Sequence, residues 1–130
     1  MTSINDCRVI ELPRITDQRG SLTVIEGGQH IPFEIKRVFY LYDVSASAVR
    51  GAHAHKTLHQ LLVCVTGSLD VRANEKAYHL SVPWEGLYIP PMTWVDVFNF
   101  APGSICLVLC SEKYDESDYY RVYKEFLDEC

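Results

Sequence analysis

Arg50-Gly51-Ala52-His53-Ala54-His55-Lys56-Thr57-Leu58-His59-Gln60 runs straight into Leu61-Leu62-Val63-Cys64-Val65, and Gly67 marks the turn that follows. The apolar run reads as a buried strand. In the stretch before it, His53 and His55 stand two apart. Side chains alternate across a pleated strand, so both imidazoles share a face and Ala54 points the other way. A lone histidine is most often a surface or satisfied residue. Two on one face, between Arg50 and Lys56 and leading into a buried strand, have the makings of a site.

Outward from this stretch the same texture continues. Val9-Ile10-Glu11-Leu12 is a short strand closed by Pro13, Asp17-Gln18-Arg19-Gly20 is a turn, and Ser21 to Ile25 alternates as a half-buried strand. Ile35 to Asp43 places Ile35, Arg37, Phe39 and Leu41 on one face, with Lys36, Val38, Tyr40 and Tyr42 on the other. An arginine on the more apolar face needs a partner, either a carboxylate or a bound anion. Leu69 to Ala73 and Ala77 to Val82 pair around Asn74-Glu75-Lys76; Leu87 to Ile89, Trp94 to Phe100 and Ser104 to Ser111 supply three more strands. Short strands punctuated by Gly and Pro predict an all-β sandwich or barrel, with residues 1–130 as one domain. Only the tail differs. Ser117 is positioned to cap a helix whose packing stripe is Tyr119, Val122, Tyr123, Phe126 and Leu127.

Composition narrows the function classes. The apolar fraction is 48%, the charged fraction 22% and the net charge -5, with no lysine- or arginine-rich run. A binder of nucleic-acid backbones is disfavoured, since such proteins need many cationic contacts. A few converging arginines still suffice for a small phosphorylated ligand. No apolar stretch approaches the roughly 20 residues that span a bilayer, and Met1 to Asp6 shows no signal-peptide pattern. Five cysteines, Cys7, Cys64, Cys106, Cys110 and Cys130, form no CxxC pair, and three sit inside apolar runs. A reduced, cytoplasmic protein is expected.

His53-x-His55, then Gln60 and Gly67, resembles the first cupin motif, in which the position of Gln60 is usually a glutamate. Gly86-Leu87-Tyr88-Ile89-Pro90 to Asn99 resembles the second, with Val95 where metal-binding cupins carry a third histidine. Two of four usual ligands are thus replaced, and a stable metal site wants three or four protein ligands. Five segments resemble the sugar 3,4-ketoisomerases more closely: Asp17-x-Arg19-Gly20-Ser21-Leu22, Ile31-Pro32-Phe33-x-Ile35-Lys36-Arg37-Val38, Arg50-Gly51-x-His53-Ala54-His55-Lys56, Gly86-Leu87-Tyr88 and Tyr114-Asp115-Glu116-x-Asp118-Tyr119.

That resemblance implies a single cupin-type antiparallel β-barrel (jelly roll) with a short C-terminal helix. It also implies a metal-free and cofactor-free enzyme, a homodimer, and a substrate of the class of thymidine-diphosphate 4-keto-6-deoxyhexoses. It assigns catalysis to His53 and His55; of the pair we take His53 as the base at C3, with His55 polarising the oxygen or relaying a proton. Imidazoles suit both steps, because either protonation state is accessible near neutral pH. Tyr40 is a candidate further hydroxyl donor. Arg37 and Arg50, with Arg19 and Lys56 behind them, are candidates for the diphosphate. Gly51 beside Arg50 permits close backbone approach. Gln60 suits a sugar hydroxyl or a histidine tautomer, and Trp94 is a candidate for stacking on a ring. Galacto-forming members pair an arginine at Arg19 with a histidine at Val95; this chain keeps the first alone. The rival reading is a 3,5-epimerase on a similar barrel, or an inactive cupin that only binds nucleotide sugar.

Overall fold

The computed structural model describes residues 7–129. Met1 to Asp6 and Cys130 lie outside the described residues, as do the leader and fifth-cysteine readings made on them. The chain forms β1 (Arg8–Glu11), β2 (Arg14–Asp17), β3 (Gly20–Thr23), β4 (Arg37–Leu41), β5 (Arg50–His55), β6 (Gln60–Thr66), β7 (Leu69–Ala73), β8 (Lys76–Leu80), β9 (Glu85–Ile89), β10 (Val95–Phe98) and β11 (Ile105–Cys110). A single 3-10 turn (Glu116–Asp118), β12 (Tyr119–Tyr120) and helix α1 (Tyr123–Glu129) follow.

The apolar run is β6, the centre of a sheet ordered β1-β9-β6-β11-β4; the histidine stretch is β5, in a second sheet ordered β12-β5-β10-β7-β8. Both sheets are built from antiparallel pairs. Leu62, Cys64, Cys106 and Val108 from the first meet Leu69, Val71, Val95 and Val97 from the second in the main core. Leu61, Val63, Tyr88 and Leu109 form a second cluster with Leu12, Ile31 and Phe33. β6 therefore buries alternate residues in both clusters. That is why its sequence is an unbroken apolar run rather than an alternating one. The expected antiparallel β-barrel with a short C-terminal helix is the architecture found.

Several details differ from the sequence reading. Arg14–Asp17 pairs with β3 as a separate two-stranded sheet. Ile35 precedes β4 and packs into the second cluster, apart from Arg37. The tail departs most. Ser117 caps no helix; the Asp115 carboxylate accepts its N–H at 3.0 Å and its hydroxyl at 2.7 Å. Tyr119 and Tyr120 are a strand paired with His55 and Ala54. The cause is local hydrogen bonding: the Asp118 carbonyl accepts the Lys56 N–H at 2.8 Å, and Asp118 Oδ1 accepts the N–H and hydroxyl of Thr57. These bonds draw the segment along the edge of β5, so the helix starts only at Tyr123. Of the predicted stripe, Phe126 is buried while Val122 and Leu127 are exposed.

Candidate active site

β5 enters the site through a bulge. Gly51 and Ala52 have φ of 85° and 56°. Across from them, Val95 pairs with His53 and Asp96 with Gly51, leaving Ala52 as the extra residue. A Cβ on Gly51 would stand 2.8 Å from the Val95 carbonyl oxygen, so the close approach expected of this glycine is present. Beyond the bulge His53 and His55 alternate as expected. Their rings lie 4.8 Å apart and nearly perpendicular, at 82°.

The two imidazoles border different spaces. His53 lines a hollow of about 430 Å³ with Arg50, Gln60, Val95, Tyr119 and Arg121, over an apolar floor that includes Phe39, Leu62 and Val108. His55 lines a second, of about 440 Å³, with Arg37, Thr57, Tyr114 and Asp118. Tyr119 lines both, its ring 5.0 Å from that of His53 and 4.2 Å from that of His55.

Hydrogen bonding fixes the tautomer of His53. Its Nδ1 lies 3.0 Å from the Gly51 carbonyl oxygen. A carbonyl only accepts, so Nδ1 carries the hydrogen and Nε2 keeps a free lone pair in the neutral ring. Burial lowers the His53 pKa from its ordinary value, against the opposing pull of the Gly51 bond. His55 is 5% exposed. Burial first, then the neighbouring His53, push it further down, with Asp118 opposing. Both rings are therefore neutral at neutral pH. Asp118 Oδ2 stands 3.4 Å from His55 Nδ1, within ion-pair reach. Neither His55 ring nitrogen has a geometrically formed hydrogen bond among the described residues.

Arg37 meets no carboxylate among the ion pairs of the described residues. Its Nη2 donates to Cys110 Sγ at 3.5 Å, its Nε is buried without a partner, and its guanidinium lies near the Phe39 and Tyr114 rings. Of its two expected roles, the ion pair is absent.

Four expected site residues stand elsewhere. Tyr40 is 59% exposed, because it alternates with the inward Phe39 and Leu41. Trp94 alternates with Val95 and packs on Tyr123 and Phe126, at 5.1 and 5.7 Å. The Arg19 side chain is 90% exposed and pairs with Asp17 at 2.6 Å. Lys56 lies over the Tyr120 ring, at 5.2 Å. Two hollow residues were missed, Tyr119 and Arg121. Arg121 grips Glu116 through two bonds of 2.6 and 2.8 Å and covers the Tyr119 ring at 4.1 Å. Helical spacing hid Tyr119, although it closes the fifth segment of the resemblance.

The family model described as FdtA, WxcM-like, C-terminal matches residues 5–130. A TDP-4-oxo-6-deoxy-alpha-D-glucose-3,4-oxoisomerase from Aneurinibacillus thermoaerophilus is 42% identical over 92% of this chain and 88% of its own. The chain belongs to the sugar 3,4-ketoisomerase family. A solved mutant of the ketoisomerase QdtA from Thermoanaerobacterium thermosaccharolyticum, in complex with TDP-4-keto-6-deoxyglucose, shares 44% identity and a TM-score of 0.93 over 99% of this chain and 95% of that one. The TDP-quinovose 3,4-ketoisomerase of Campylobacter jejuni shares 42% and 0.91 over 95% and 98%. Two epimerases, from Mycobacterium tuberculosis and Bacillus anthracis, match at 14% and 17% identity with TM-scores of 0.76 and 0.77, a likeness of fold alone. This chain carries both histidines on β5, and it sets Gln60 and Val95 around the same hollow as His53.

Proposed function

We propose that this chain moves the ketone of a dTDP-linked 4-keto-6-deoxyhexose from C4 to C3 through an enediol. The observation that carries the reading is the orientation of His53. Its Nδ1 is committed to Gly51, so the Nε2 lone pair is the free base in a hollow of sugar size, and burial keeps the ring neutral. His55, backed by Asp118, relays protons. Arg50 at the hollow's edge and Arg37 with its unused Nε take the diphosphate, because guanidinium forks match phosphate oxygens. Gln60 holds a sugar hydroxyl. No metal is required: the reaction is a proton shuffle, and the positions of Gln60 and Val95 carry an amide and an alkyl group instead of ligands.

The enzyme works in the cytoplasm as a homodimer, supplying the 3-keto sugar from which an amino-deoxy sugar for O-antigen or related lipopolysaccharide is made. It binds neither nucleic acid nor membrane. No helix among the described residues is long and apolar enough to cross a bilayer, and the net charge of -5 argues against a nucleic-acid backbone.

Incubation with dTDP-4-keto-6-deoxyglucose in deuterated buffer containing a chelator, followed by NMR, tests the reading. Loss of the C3 hydrogen signal and growth of the 3-keto sugar are expected. His53→Ala lowers both by roughly 10²–10⁴-fold. Exchange at C5 instead identifies an epimerase. Ligand-induced stabilisation without any exchange leaves a binding module.

A further inference from the structure

We infer that Tyr119 is the second proton-transfer group of the hollow, giving a proton to the sugar's carbonyl oxygen as His53 takes one from the adjacent carbon. This rests on the ketoisomerase reading and names a catalytic residue within it.

The inference comes from an inventory of the hollow's walls. Moving a ketone one carbon along requires proton transfers at two carbons and at two oxygens, and one base cannot serve all four positions at once. Half of the residues that line the His53 hollow carry alkyl or phenyl groups. Arg50 and Arg121 stay charged throughout and do not give up protons. Gln60 does not titrate. The Cys106 thiol is pushed up to about 12, chiefly by burial, and is a poor donor. His55 lines the other hollow and relays protons through the neighbouring Tyr119 instead of meeting the sugar. Tyr119 remains: a phenol whose residue borders the hollow, its ring 5.0 Å from that of His53.

Its surroundings suit the task. Strand pairing of Tyr119 with His55 fixes the backbone, and the Arg121 guanidinium over the ring fixes the side chain. The Arg37 guanidinium interacts with the phenol from the far side, a positive neighbour for an oxygen that passes a proton. Because the same tyrosine also borders the second hollow, the His55–Asp118 pair lies directly behind it.

The cycle closes with these two groups. His53 Nε2 takes the C3 proton; the C–H electron pair becomes the C3–C4 double bond, and the carbonyl pair moves onto O4, which receives the Tyr119 proton. The O3 hydroxyl then returns its proton to the tyrosinate as the C3 carbonyl forms. The double-bond pair takes the proton from His53 at C4. Two protons have left the sugar, two have returned, and both side chains are restored. O3 and O4 are on adjacent carbons, so one phenol can serve both.

Tyr119→Phe, which keeps the ring and its packing, isolates the hydroxyl. Turnover is expected to fall by roughly 10²–10⁴-fold, while dTDP affinity and melting temperature stay near those of the parent enzyme. Turnover near the parent value with Phe, and loss only with Tyr119→Ala, would show a packing role and overturn the inference. A parallel loss of dTDP affinity with Phe would make the hydroxyl a binding group and overturn it equally. If the phenylalanine variant does not fold, site-specific 3,5-difluorotyrosine at position 119 replaces it. A more acidic phenol must move the alkaline limb of the turnover–pH profile downward, and an unmoved limb removes Tyr119 from the chemistry. A parent enzyme that neither exchanges C3 hydrogen nor isomerises the sugar refutes the ketoisomerase reading itself.

Discussion

His53 offers the hollow one nitrogen only, since its Nδ1 is spent on the Gly51 carbonyl at 3.0 Å. A base with a single free lone pair approaches from a single side. In a gluco-configured substrate the C3 hydrogen is axial on the lower face. If the same imidazole returns that proton to C4 from the same side, the C4 hydroxyl becomes axial, which is the galacto configuration. We therefore expect a small H4–H5 coupling in the NMR spectrum of freshly formed product. A large coupling means the gluco isomer, the configuration of the quinovose for which the Campylobacter jejuni relative is named, and then C4 is protonated from the face opposite His53. Much of this site was legible residue by residue. Alternation along β5 put both histidines on one side, and the same rule applied to β4 would have removed Tyr40, since Phe39 and Leu41 point inward. Tyr119 was illegible locally. Its spacing to Val122, Tyr123 and Phe126 fits a helix, and only the bonds from Asp118 to Lys56 and Thr57 make it a strand.

At the scale of the element, the bulge in β5 sets how His53 enters the hollow. Gly51 holds φ of 85° while its α-carbon faces the Val95 carbonyl, so an added methyl is opposed both by conformation and by backbone that cannot swing aside. Gly51→Ala is expected to destabilise the fold by about 1–3 kcal/mol, read as a lower urea midpoint. It should also weaken catalysis, because the carbonyl that fixes the His53 tautomer belongs to this residue. An unchanged midpoint would mean that β10 yields at Val95. The glycine itself was readable as a close approach, but the bulge at Ala52 was not. Nothing about alanine announces a φ of 56°; the extra residue is visible only once β10 is laid beside β5.

Apart from β12, the strands of the two large sheets lie where Gly and Pro punctuation predicted, and a two-sided core needs β6 to be apolar throughout. Among the exposed apolar side chains, Val38, Tyr40 and Tyr42 stand on β4 and just beyond it, at the edge of the first sheet, with the two tyrosine rings 5.9 Å apart. Light scattering should therefore give about twice the 14.9 kDa chain mass, and Tyr40→Asp with Tyr42→Asp should return it to monomer. A monomeric parent protein would remove the dimer. The late arrival of β12 has a consequence for synthesis. A ribosome makes β5 first and must then complete β6 through β11 before Tyr119 and Tyr120 exist to pair with it. During that interval the histidine strand is a bare sheet edge, open to a neighbouring nascent chain. The barrel can close around its core, yet it holds neither the phenol nor Asp118 until the ribosome has passed Tyr120.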